Sequence, residues 1–169
     1  MPDLVIIDIS LQGTSGIELA KNILLVYPKM FLLMISMYDE SIYLERCLRA
    51  GAKGYIMKQE ATEHIIAAIR KVLKGENYVS DKMKDNMMHQ FINGGKPVEG
   101  SMTVKLSDRE LEVLQLTGQG YSTHHIAAML FISVKTVESH YANIKNKLDL
   151  QNSHELIQYA VKMKLAEST

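Results

Sequence analysis

Residues 122–148 read STHHIAAMLFISVKTVESHYANIKNKL, two helical segments with only Phe131, Ile132 and Ser133 between them. The first is expected over 123–130 behind the cap candidate Ser122, and the second from just after Ser133 to about Leu148, because serine readily accepts from the free amides of a helix start. So short a connection forces the two helices to cross steeply, as in a helix-turn-helix. At about 100° per residue, Val137, Tyr141, Ile144 and Leu148 fall in one narrow arc and predict a buried stripe. The opposite arc holds Lys135, Ser139, Ala142 and Asn146, flanked by Glu138 and Asn143. A polar face of small residues suits a major groove, where asparagine reads adenine and lysine reaches guanine or phosphate. Lys145 and Lys147 stand where they would position the nucleic-acid backbone. Periodicity alone is equally compatible with the solvated face of an ordinary helical bundle.

Two further helices complete the C-terminal part. One runs from about Asp108 to Thr117, with Ser107 as cap and Glu110 in the reciprocal position of a capping box. The other runs from Ser153 to Leu165, giving a small bundle of four. Upstream, residues 75–103 read as a linker region with one Met-rich helix, Asp81 to Ile92, and the loop NGGKPVEG at 93–100. Residues 1–74 alternate instead: strands at 4–9, 31–36 and 54–57 are each followed by a helix, at 17–26, 40–50 and 61–73. Such alternation implies a parallel sheet covered on both faces. Three strands are few for that architecture.

Composition narrows the function classes. With 47% apolar and 22% charged residues the chain reads as an ordinary globular protein. No apolar run reaches the ~18 residues of a membrane span, so a cytoplasmic protein with no membrane partner is expected. Net charge is zero, and residues 101–169 carry seven basic and seven acidic side chains, so a nucleic-acid partner must be recognised by local arrangement. The six histidines lack partners at metal-ligand spacing, and Gly13-Thr14-Ser15-Gly16 is too short for a phosphate-cradling loop. The single cysteine, Cys47, is expected in the core, and no enzyme activity is expected.

Leu106-Ser107-Asp108-Arg109-Glu110, Gly120-Tyr121-Ser122, Ile126-Ala127, Ser133-Val134-Lys135-Thr136-Val137, His140 and Lys147-Leu148 resemble the signature of the NarL/FixJ, LuxR-type helix-turn-helix. The likeness covers nearly all of 104–166, within a DNA-binding domain expected over 104–169. It implies a DNA-binding transcription regulator of a two-component phosphorelay, acting as a dimer on double-stranded DNA carrying an inverted repeat. The DNA-facing positions it implies are Lys135, Thr136, Glu138, Ser139, His140, Ala142, Asn143, Asn146 and Lys147. Glu138 and Ala142 depart from the family, which often has basic residues there.

Residues 1–74 resemble a response-regulator receiver domain. The two resemblances together imply a flavodoxin-like parallel-sheet receiver, truncated to three strands, followed by an all-α four-helix domain. They place the phosphoacceptor at Asp8 and the receiver switch at Ser36, Tyr55 and Lys58. The family begins with a strand, a helix, a second strand and a second helix that have no counterpart ahead of Leu4, and its first strand carries the acidic pair that holds Mg²⁺. Only Asp8 and the carbonyl of Ser10 would be left as metal ligands, so Mg²⁺ is expected as a cofactor only with that segment present. A sensor histidine kinase is the implied partner of a complete receiver. The competing expectation is a shortened regulator that pairs with intact relatives and blocks them, with little phosphorylation or DNA affinity of its own, through an exposed sheet edge or the fourth helix of the C-terminal part.

Overall fold

A computed structural model describes residues 2–92 and 105–167. Two compact units form, one from residues 1–10 and 16–97, the other from residues 11–15 and 98–169. The expected loop at 93–100 lies outside the described residues.

The first unit follows the order β1 (Leu4–Asp8), α1 (Gly16–Val26), β2 (Phe31–Ser36), α2 (Glu40–Arg49), β3 (Gly54–Met57), α3 (Lys58–Leu73) and α4 (Asp81–Ile92). All pairings are parallel in the order β1-β2-β3. Central β2 is apolar on both faces because both are covered: Leu32, Leu33 and Met34 are fully buried. Leu33 packs with Ile56, Ala68 and Val72 on the α3 side. Cys47 is fully buried, as its helical setting suggested.

The register opposes Asp8 to Ile35 and Ser36 to Met57, so the three strands end together. Gly16 lets α1 start against that edge: a Cβ there would lie 1.9 Å from the carbonyl oxygen of Asp8. The third helix begins at Lys58, not at Ala61 as the pattern suggested. Its N-cap, Met57, makes no side-chain cap, and a cation in the first turn opposes the helix dipole. Lys58 has another partner to offset that cost.

The second unit contains α5 (Asp108–Gly118), α6 (Thr123–Met129), α7 (Val134–Leu148) and α8 (Ser153–Glu167). Ser107 and Glu110 form the expected capping box, and Ser122 and Ser133 cap α6 and α7. Leu111, Leu114, Ile126, Leu130, Val137 and Ile144 make a shared core. Gly118 permits α5 to approach α8, since a Cβ would sit 2.4 Å from the Ala160 carbonyl oxygen. The reversal between α6 and α7 turns on Phe131, which takes a left-handed φ of 53°, unusual for a bulky side chain. No described helix is long and apolar enough to cross a membrane.

Candidate functional site

The candidate nucleic-acid interface is the outer face of α7. Its start is fixed by Ser133, whose Oγ accepts from the Thr136 amide at 3.0 Å and lies 2.8 Å from Thr136 Oγ1. Val137, Ile144 and Leu148 are buried. Tyr141, the fourth member of the predicted stripe, is only half-buried, with its phenol oxygen 3.1 Å from Thr117 Oγ1. Opposite, Lys135, Glu138, Ser139, Ala142, Asn143 and Asn146 are all exposed. Ser139 donates back to the Lys135 carbonyl at 3.0 Å. Thr136 and His140 are half-buried at the margin of the face.

Lys147 is exposed, but its ammonium donates at 2.7 Å to Glu110 Oε2 on α5. Burial alone would raise the Glu110 carboxyl; Lys147 and the Ser107 amide outweigh it and hold the group below the usual carboxylate range. Next to it, Arg109 donates to Glu112 Oε2 at 2.6 Å and to the Leu130 carbonyl at 2.5 Å. Glu112 is fully buried, and burial pushes its carboxyl up to about 7 against the pull of Arg109. From the sequence, Arg109 has no role of its own and Glu110 only that of the capping box. The capping box was legible in Ser107 and Glu110, but the reach to a lysine 37 residues later was not.

Burial lowers the His140 imidazole, whose Nδ1 is buried without a hydrogen-bond partner among the described residues. An unfolded chain therefore takes up this proton first as pH falls, and the stability carried by neutral His140 is full above ~6.5 and lost as pH drops toward the folded value. Over about pH 7.5 to 5.5 the buried Glu112 carboxyl, pushed up to about 7, contributes in the opposite sense, so the His140 loss is read by chemical denaturation as the difference between wild type and His140→Gln, the variant losing less as pH falls. An unchanged profile in the variant would assign the loss to other groups.

In the first unit, Lys58 Nζ lies 2.5 Å from Asp8 Oδ2, and the Ser10 amide donates to Asp8 Oδ1 at 3.2 Å. Ser36 is buried and its Oγ accepts from the Tyr38 amide at 3.2 Å. The buried Tyr55 phenol donates to the Tyr38 carbonyl at 2.8 Å, and burial holds it protonated well above its usual range. Tyr38, absent from the sequence reading, also accepts from Ser10 Oγ at 3.1 Å and so ties the acceptor loop to the switch residues. The four expected receiver positions thus gather at one end of the sheet. They do not make a magnesium site: Asp8 is already paired with Lys58, and among the described residues no three His, Cys, Asp or Glu side chains cluster to hold a metal. A divalent ion that demands an octahedral oxygen shell finds one carboxylate here.

The family profile of bacterial regulatory proteins, luxR family, matches residues 104–160, and that of the response regulator receiver domain matches residues 1–70. Oxygen regulatory protein NreC of Staphylococcus haemolyticus is 42% identical over 170 residues, which span 98% of this chain and 78% of NreC. NreC of Staphylococcus carnosus is 41% identical with the same coverage. Among solved structures, RcsB from Salmonella enterica serovar Typhimurium bound to promoter P1flhDC in the presence of phosphomimetic BeF3- aligns with a TM-score of 0.54 and 26% identity, over 95% of this chain and 75% of RcsB. RcsB bound to promoter rprA aligns with a TM-score of 0.52 and 25% identity, over 94% and 75%.

Proposed function

The chain belongs to the LuxR-type response regulators, transcription regulators of two-component systems, and from that premise we propose that α7 reads DNA sequence in the major groove. One observation carries this reading: the six outward residues from Lys135 to Asn146 are all exposed on a helix whose other face is locked in the core. Asn143 and Asn146 have the donor and acceptor pair that adenine presents, and Lys135 suits guanine or phosphate. Thr136, Ser139, Ala142 and His140 shape the contact. Glu138 accepts from cytosine or repels phosphate, which shifts base preference away from a basic residue's choice. Lys147 serves the same interface from within the domain.

Two such helices on an inverted repeat form the working dimer, and a sensor histidine kinase is the phosphoryl source for the receiver. The solved RcsB complexes with promoter DNA support this reading by analogy. The test is fluorescence anisotropy of the full chain on a full inverted repeat and on one half-site. A dimeric reader binds the full repeat at least tenfold tighter; equal affinity would remove the dimer.

Asp8 is the proposed phosphoacceptor. Because no cluster of acidic side chains that would hold Mg²⁺ surrounds Asp8 among the described residues, these residues are expected to support little base-labile phosphoprotein with a small phosphodonor and Mg²⁺. Stoichiometric labelling that Asp8→Asn abolishes would overturn that expectation and keep Asp8 as the acceptor.

A further inference from the structure

We propose that Lys147 is a positioning residue, not a phosphate contact: with Glu110 it pins the far end of α7, while Arg109 pins the turn that precedes it. This inference rests on α7 being the DNA-reading helix.

The first turn of α5 places Arg109 and Glu110 side by side, and each grips a different end of the helix-turn-helix. Arg109 donates to the carbonyl of Leu130, the C-cap of α6. Cations belong at such a carbonyl-rich end. The same guanidinium is held in place by Glu112, fully buried below it. Glu110 is 3% exposed, and its Oε2 accepts both the Ser107 amide and the Lys147 ammonium, each at 2.7 Å. One carboxylate oxygen therefore closes the capping box of α5 and holds the last turn of α7. The α7 helix is fifteen residues long, about 22 Å at 1.5 Å per residue, so small shifts at either pinned end tilt the reading face.

Lys147 is thereby set apart from Lys135. Lys135 is exposed at the start of the outward face and forms no ion pair among the described residues. Drawing Lys147 to a phosphate would leave the Glu110 carboxylate buried beside an empty place, which is the costly way to break such a pair. The charge that the sequence offers to DNA at this end of α7 is used inside the domain.

The experiment is a salt series of anisotropy titrations with the full chain and the duplex that the wild-type chain recovers from a randomised pool, run for wild type, Lys147→Met, Glu110→Gln, the double variant and Lys135→Ala. Lys147→Met and Glu110→Gln are each expected to weaken specific binding about tenfold with the wild-type salt slope, and the double variant to be no worse than the weaker single. Lys135→Ala is expected to lower the slope by about one. A slope that falls by about one in Lys147→Met, additive single effects, or unchanged affinity in both singles would overturn the proposal. Amide exchange of Ile144 to Leu148 in the free chain gives a second readout: both variants should exchange faster there, and wild-type rates would also overturn it. Should the wild-type chain recover no sequence, the DNA-reading assignment itself fails, while the exchange measurement still decides whether the pair pins α7.

Discussion

Replacing Lys135 and Asn143 together by alanine is expected to weaken binding to the cognate duplex about a hundredfold and to leave thermal stability nearly untouched. Each direct base contact of this kind is worth about 1–3 kcal/mol, and each 1.4 kcal/mol is about tenfold in affinity. Both side chains are exposed, and surface substitutions of this sort usually cost within about 0.5 kcal/mol of folding. Anisotropy on specific and scrambled duplexes, paired with thermal unfolding, separates the two effects. Wild-type affinity in the double variant would count directly against α7 as the reading helix.

Ile144→Ala should do the reverse, one residue along the same helix. Ile144 is fully buried between α7 and the rest of its unit. Truncation of a core isoleucine costs about 2–5 kcal/mol, which for a domain of this size lowers the melting temperature by about 10 °C or more. DNA binding at 37 °C should fall only in proportion to the unfolded fraction, and at low temperature it should return. A stable Ile144→Ala variant would mean that α7 is not anchored through this stripe.

The contrast between neighbours 143 and 144 was legible in the sequence because helical periodicity and three serine caps are local signals. Strand ends were legible too, since Asp8, Ser36 and Lys58 each close an apolar run, and a parallel register brings such ends together. Other features were not. Phe131 carries the left-handed turn that glycine or asparagine usually signals, so only the shortness of the connection announced it. The start of α3 at Lys58 lacked a capping residue, because that lysine is held by Asp8, 50 positions earlier. The grip of α5 on α7 depends equally on tertiary placement. The place of Lys147 on the helix is a local signal, whereas the buried Glu110 carboxylate beside it comes from α5, 37 positions earlier.

Selection of bound duplexes from a randomised pool by the full chain, at low and moderate salt and without a phosphodonor, decides whether α7 reads DNA sequence. Enrichment of an inverted repeat whose binding survives moderate salt is expected, with a slope that counts its phosphate contacts. Recovery of only salt-sensitive, sequence-independent binding, or of none, would contradict it.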